Sequence, residues 1–353
     1  MNSLTLYPSI WLYNAGVIGL IWILDEMRIT PTFSDDGTLT LTLSEDKTEE
    51  IFRQWVELSP KAKSGNSLVY GWKSAYYANQ TESSIKRRIN ALCSPPMPTP
   101  GKKKEEEYSC SFCTRRVRAK KSEASFLSQA FSNILLGSET TFANMYWGNS
   151  SKDYICPQCE FIVMCHHLAF TPLSDGSEVF INAPSFQVMY YLNRFARKVI
   201  GAVKSGEGMR KREILAMSVM EYAMRIHTTL GMWTGMNIEL ISRRGGQIEF
   251  FSLPYEVTRL LADRSIASLL NRIGEFYILN LVLERNFSRL IELAYRLLRI
   301  GIKSEKERTK SETDFINKTL FIERNKQKPA KVSQDIMKLY TLIEEKTKAY
   351  GYA

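Results

Sequence analysis

Histidine is scarce in this 353-residue sequence: His166, His167 and His227 are the full complement. None is followed by aspartate, which argues against an HD-type phosphohydrolase. Zinc deaminases need a His-x-Glu ahead of Pro-Cys-x-x-Cys, whereas every histidine here lies beyond the cysteine pairs. No G-x-x-x-x-G-K-[ST] occurs, so a P-loop motor is excluded, and no Ser or Cys nucleophile elbow is present. Long apolar runs are missing too. Ile10–Leu24 falls short of the ~20 residues a spanning helix needs, and Asn14 interrupts it. No Lys or Arg precedes Arg28, so the positive start of a secretion signal is absent. These absences predict a buried helix over Ser9–Leu24 in a cytoplasmic protein with no membrane partner. Paired carboxylates leave no sequence signature, so a nuclease site stays open as an alternative.

Of the six cysteines, four form two pairs, Cys110-Ser111-Phe112-Cys113 and Cys156-Pro157-Gln158-Cys159. Two such knuckles suit one tetrahedral ion, and four thiolates leave no position for water or substrate. The expected cofactor is therefore structural Zn2+, held by Cys110, Cys113, Cys156 and Cys159. Two disulfides would need an oxidising compartment, and a redox pair needs only one C-x-x-C. His166 or His167 could replace a ligand, but four cysteines already suffice. Cys93 and Cys165 read as small buried hydrophobes. The pairs stand further apart than in the usual zinc ribbon, which predicts an insertion. Ser122–Leu136, ended by Gly137, reads as an amphipathic helix that fills it.

Charge divides the chain. Residues 1–185 carry 18 Lys+Arg against 19 Asp+Glu, and residues 186–353 carry 29 against 18. A positive field on one part attracts polyanions, nucleic acid first among them; a Lys-rich solvated surface is the plain alternative. The predicted fold is α+β, an N-terminal α/β unit with a zinc-ribbon-like module followed by a mainly helical C-terminal bundle. Boundaries fall at 1–100, 101–185 and 186–353, the first at the Pro-rich and charged linker Ser94–Glu107. Thr38–Leu43 alternates as a strand after the Asp35-Asp36-Gly37 turn, and residues 48–58 have helical spacing. Thr171–Ser185 reads as loop, Ile238–Leu253 as a hairpin, Glu275–Ile300 as one helix, Lys303–Lys331 as a flexible charged arm, and Ser333–Tyr350 as a last helix.

Cations interleaved with aromatics suit nucleic acid, because rings stack on bases while cations meet phosphates. Lys86, Arg87 and Arg88 lie on a predicted helix, beyond Trp72, Tyr76 and Tyr77, although any one of these rings is more simply core. Arg115, Arg116, Arg118, Lys120 and Lys121 leave the first knuckle, where a metal would fix their direction. Arg243 and Arg244 occupy the hairpin tip. Arg285, Arg289, Arg296 and Arg299, with Lys303, form one stripe opposite Phe287, Leu290, Ile291, Ala294, Leu297 and Leu298.

Trp11-Leu12-Tyr13-Asn14-Ala15-Gly16-Val17-Ile18-Gly19 resembles a stretch of the large subunit of type I-B CRISPR Cascade complexes, the Cst family. So do Ile155–Cys159 running into Met164-Cys165 and Phe170, and Gln247–Leu253 followed by Pro254-Tyr255-Glu256-Val257. The resemblance covers most of the first 260 residues and is absent beyond 300. It implies a non-catalytic subunit that reads the PAM on target double-stranded DNA while guide RNA pairing reads the sequence. Implied partners are the guide (crRNA) ribonucleoprotein, its backbone and small subunits, and an effector helicase-nuclease or transposition proteins. By the same resemblance Asn14, Lys73, Asn79, Gln80, Lys86, Arg87 and Arg88 are PAM-side candidates. Competing expectations are a zinc-ribbon nuclease or nucleotidyltransferase, and a free-standing zinc-ribbon RNA-binding regulator.

Overall fold

The computed structural model describes residues 2–59, 61–64, 67–70, 81–94, 106–120, 124–126, 154–202, 211–225, 238–244 and 247–349. The chain forms two compact units, Met1–Tyr190 with Ile241–Phe250, and Tyr191–Leu240 with Phe251–Ala353. The architecture is an α/β N-terminal region with a buried cysteine cluster, followed by a helical C-terminal bundle.

The first unit is organised on α1 (Trp11–Glu26), buried along nearly its whole length. Strand β1 (Asn2–Leu6) precedes it, and β2 (Thr32–Phe33) and β3 (Leu39–Leu43) follow, giving a sheet of order β1-β3-β2. Alternation holds in β3: Leu39, Leu41 and Leu43 are buried while Thr40 and Thr42 are not, so one face makes core and the other meets solvent. Helix α2 (Thr48–Leu58), hairpin β4 (Lys61–Ser64) and β5 (Ser67–Tyr70), and α3 (Glu82–Cys93) come next. Strands β6 (Glu106–Ser109) and β7 (Arg116–Ala119) pair around the first knuckle, and β8 (Ser125–Phe126) pairs with β9 (Tyr154–Ile155) before the second. Helices α4 (Pro157–Met164) and α5 (His166–Ala169) lead into β10 (Thr171–Pro172) and β11 (Glu178–Asn182).

Beyond α6 (Phe186–Ala202) and α7 (Lys211–Arg225), β12 (Glu239–Arg244) and β13 (Gln247–Ser252) complete a sheet of order β10-β11-β12-β13. The second unit continues through α8 (Tyr255–Ala262), α9 (Arg264–Ile273), α10 (Phe276–Leu283), α11 (Phe287–Gly301), α12 (Lys310–Thr319), α13 (Glu323–Gln327) and α14 (Pro329–Ala349). No helix among the described residues is long and apolar enough to cross a membrane.

Four elements differ from expectation. Ser125–Phe126, expected to lie in a helix, is extended because it pairs with β9; 127–136 lie outside the described residues. Thr171–Ser185 is a hairpin turned by Asp175, which accepts from the Ser177 amide, and by Gly176 at φ +79°. Its strand β11 buries Val179, Phe180 and Ile181 in succession. A central strand covered on both faces shows no alternation.

The helix expected over Glu275–Ile300 breaks into α10 and α11. Arg285 takes φ +56°, its amide donates to the Val282 carbonyl and that of Asn286 to Leu281, which is a Schellman stop without its usual glycine. Lys303–Lys331 is not an arm. Thr309 and Glu312 cap α12 reciprocally, and the buried Glu275 carboxylate accepts the amides of Phe321 and Ile322.

Gly16 and Gly19 let α1 lie against the backbone of α4 and α5. A Cβ on Gly16 would stand 2.3 Å from the Ile162 carbonyl oxygen, and one on Gly19 2.0 Å from that of Cys165. Neither obstacle is the end of a flexible side chain, so a methyl can be admitted only by moving a helix. Gly19→Ala is expected to cost about 3 kcal/mol, at the upper end for overpacking, read as a fall in the urea midpoint. An unchanged midpoint would mean that α1 is not seated on these carbonyls.

Candidate functional site

The four knuckle cysteines converge although 42 residues separate the pairs. Their sulfurs all lie within 4.8 Å of one another, and Cys113 Sγ stands 3.8 Å from Cys156 Sγ. Zinc–sulfur bonds of ~2.3 Å in a tetrahedron set sulfurs about 3.8 Å apart, so the spacing fits a ZnS4 centre.

Local sequence explains each knuckle. In the first, the Thr114 amide donates to the Cys110 carbonyl at 2.9 Å and the Cys110 amide to Arg115 at 3.0 Å. Closing that loop puts Thr114 at φ +55°. In the second, Cys156 caps the N-terminus of α4 and Pro157 takes the first helical position, where its missing N–H costs nothing. Cys156 and Cys159 therefore sit at the positive end of a helix dipole, which favours thiolates. The Cys156 amide points at Cys110 Sγ (3.4 Å) and the Cys159 amide at Cys156 Sγ (3.5 Å).

Protons alone hold four such sulfurs poorly. Hydrogen bonding among the four sulfurs draws the Cys110 and Cys113 pKa values down and pushes those of Cys156 and Cys159 up, with burial adding to the rise, so the four cannot all shed their protons together. A divalent cation removes that conflict by neutralising the thiolates. Cys110, Cys113, Cys156 and Cys159 would hold zinc with every position filled, so the ion's chemistry here is cross-linking.

Packing around the centre joins the Trp11–Gly19 stretch to the knuckles. Tyr13 stacks on Phe112 of the first knuckle, centroids 5.5 Å apart. Burial first, and the cluster cysteines second, raise its pKa well above the ordinary value, so it stays neutral. Trp11 meets Phe170 and Phe250 edge-on. Asn14 Nδ2 donates to the Ser9 carbonyl (2.8 Å) and to Asn182 Oδ1 (2.9 Å), and its Oδ1 accepts from the Ser9 amide. Its side chain is spent inside the fold.

The candidate nucleic-acid-binding residues fall into three groups. Lys73, Asn79, Gln80 and Lys121 lie outside the described residues. A second group is engaged internally. Lys86 bridges Glu49 and Glu82, and Arg88 is buried against Glu160. Arg243 binds Glu178 and lies over the Phe170 ring; Arg296 stacks on Phe315 at 3.7 Å. Exposed cations remain. Arg116 and Arg118 share one face of β7, with Glu107 of β6 beside them at 3.4 and 3.9 Å, and Lys120 follows in the same register. Arg115 donates to Gln158 of the second knuckle at 2.7 Å. Arg87, Arg244, Arg285, Arg289 and Arg299 are exposed. Glu160, which follows the last knuckle cysteine, Cys159, is a structural residue the sequence pattern did not single out. An acid at that position gives no signal until Arg88 is seen beside it.

His166 and His167 do not join the cluster. His166 Nδ1–H donates to the Val163 carbonyl at 2.8 Å, and its Nε2 faces Arg243 Nη1 at 3.2 Å. Arginine can only donate, so this imidazole must be neutral. Burial, then Arg243, hold its pKa well below the usual value. Burial also lowers His167 to about 4. Above about pH 6.5 both histidines are neutral in the folded and unfolded chain. As pH falls the unfolded chain takes up protons that the folded one refuses, so stability is lost from about 6.5 down to about 4, by about 3 kcal/mol for His167. Urea midpoints should fall over that window, and the H166Q/H167Q variant should flatten the decline. Parallel profiles would remove the histidines as its cause.

Residues 103–171 match the family described as CRISPR-associated protein (Cas_CXXC_CXXC). The matched segment runs from just before β6 to the start of β10 and contains all four sulfurs. The chain thus carries a CRISPR-associated two-knuckle module. None of the curated proteins and none of the solved structures compared matches the chain.

Proposed function

We propose that this chain is the large subunit of a type I-B CRISPR Cascade complex. It joins the guide RNA ribonucleoprotein with its backbone and small subunits, reads the PAM on target duplex DNA, and supports the opened strands. It breaks no bond itself and hands the target to a helicase-nuclease or to transposition proteins. The observation that carries this reading is the family match over the two knuckles.

Physical chemistry supports the same role. A closed four-sulfur set makes a cross-link rather than a reactive ion. What it braces is β7, whose Arg116 and Arg118 point to one side at two-residue spacing and suit successive phosphates. Arg87 and Arg244 in the first unit, and Arg285, Arg289 and Arg299 in the second, present further exposed charge for strands held without sequence preference.

Co-expression with guide RNA and the other complex subunits tests the role. The chain is expected to co-purify with them and to raise affinity for PAM-bearing duplex over a scrambled flank. R116A/R118A should weaken duplex binding about tenfold at modest salt. Absence from the guide complex, or hydrolysis of DNA by the chain alone, would overturn the reading.

A further inference from the structure

We propose that the second unit holds a phosphate-binding site between the end of α9, helix α13 and the start of α14. A cavity of about 270 Å3 there is lined by Arg272, Arg324, Lys328 and Lys331, with Asp335 as the one acid and Asn325 behind them. The site extends the nucleic-acid reading above, on which it rests for its natural ligand.

Four cations line one small cavity against a single acid, Asp335, which answers Arg272 alone, so an excess of positive charge is left that an anion would balance. Two are aimed. Arg272 Nη2 donates to Asp335 Oδ1 at 2.8 Å, and Arg324 Nη2 donates to the Arg272 carbonyl at 2.9 Å. Each guanidinium keeps further N–H groups for a planar, forked contact with phosphate oxygens. Lys328 and Lys331 form no ion pair among the described residues and are exposed. The positive end of the 21-residue helix α14 adds charge of the same sign.

The frame beneath is fixed. Asn325 donates to the Ile273 carbonyl (2.9 Å) and to Glu275 Oε1 (2.8 Å), and the same buried carboxylate takes the Phe321 and Ile322 amides. The cations stand on a pinned turn, and little ordering remains to be done on binding.

Size and lining choose the ligand. The cavity lies below the usual range for whole drug-sized ligands, and four cationic side chains line it beside Ile273 and Val332, which suits a single phosphoryl group. Arg272 also lines an adjoining open trough with Leu269, Met337 and Leu342. A phosphate carrying a nucleoside can therefore lay its organic part there, as a nucleic-acid strand would.

The test compares the full-length chain with K328A/K331A, both first shown to have the same far-UV spectrum and melting temperature in phosphate-free buffer. A fluorescent single-stranded oligonucleotide and inorganic phosphate are the two probes. Strand affinity should fall about tenfold in the variant, and log K against log salt should become shallower by about 1.4, two phosphate contacts' worth. Inorganic phosphate should raise the melting temperature of the original chain and not of the variant. Phosphate stabilisation lost in the variant, with strand binding unchanged, would keep the site and assign it free phosphate. Equal behaviour of the two proteins toward both probes would overturn the site while leaving the Cascade reading intact. If the original chain binds no nucleic acid, that reading fails, and the phosphate melt still decides the cavity.

Discussion

Replacing Cys110 or Cys156 by serine should release about one zinc ion per chain and unfold the two-knuckle module. A serine oxygen fits the space, but its proton is not surrendered near neutral pH, and the ion loses one of four charged ligands. Structural zinc contributes on the order of 10 kcal/mol to folding, far more than any single core side chain. The loss should spread beyond the knuckles. Phe112 of the first supports Tyr13 of α1, and α4 begins at Cys156 and underlies Gly16 through the Ile162 carbonyl. Metal content by mass spectrometry and a thermal melt make the measurement. Cys93→Ser and Cys165→Ser serve as controls, since both thiols are buried and outside the cluster. They should keep the zinc and show only a local packing defect. Full zinc content with an unchanged melt in Cys110→Ser would reject the centre.

The knuckles were legible because thiolate geometry dictates spacing: two C-x-x-C pairs need only a chain that folds back. Helix α2 was equally legible, Ile51 and Trp55 marking one face. So were Cys93 and Cys165, both buried, since a cysteine with no partner at ligand spacing is most simply a small hydrophobe. Less legible was anything set by a distant partner. Val179-Phe180-Ile181 looks like loop flanking until neighbours cover both faces of the strand. Arg285 shows no helix stop, because left-handed backbone announces itself in sequence mainly through glycine or asparagine. Lys303–Lys331 reads as an arm by composition, whereas its order comes from Glu275, far earlier in the chain, and from Ile316 and Leu320 in the core.

Charge was the least transparent property. Counting cations puts Arg88, Arg243 and Arg87 on equal terms, yet only Arg87 is exposed. The other two are fastened to Glu160 and Glu178. A cation inside a protein is nearly always paired, so its partner, and not its own residue type, decides whether it can meet a phosphate. The convergence of Arg272, Arg324, Lys328 and Lys331 was invisible for the same reason. Arg324, Lys328 and Lys331 keep i, i+4, i+7 spacing, but inside a stretch that reads as an arm this marks no face, and Arg272 lies more than fifty residues earlier in the chain.

Arg88 provides the second large effect. Its Nη2 donates to Glu160 Oε1 at 2.7 Å and its Nε lies 2.7 Å from Oε2, while Nη1 reaches the Ser84 carbonyl and hydroxyl. Arg88 and Glu160 side chains are 6% and 8% exposed, so neither charge has water to fall back on. Arg88→Met should cost about 3–5 kcal/mol, because it leaves the Glu160 carboxylate buried and alone beside the last knuckle. The double variant R88M/E160M should recover most of that loss, since well-packed apolar groups of similar volume replace a buried pair at little net cost. Chemical denaturation of the two single variants and the double gives the coupling energy directly. A ruptured DNA contact would behave otherwise: stability would hold, binding would fall, and changing Glu160 would restore nothing. A double variant no more stable than R88M would show that Arg88 acts here by some means other than answering Glu160.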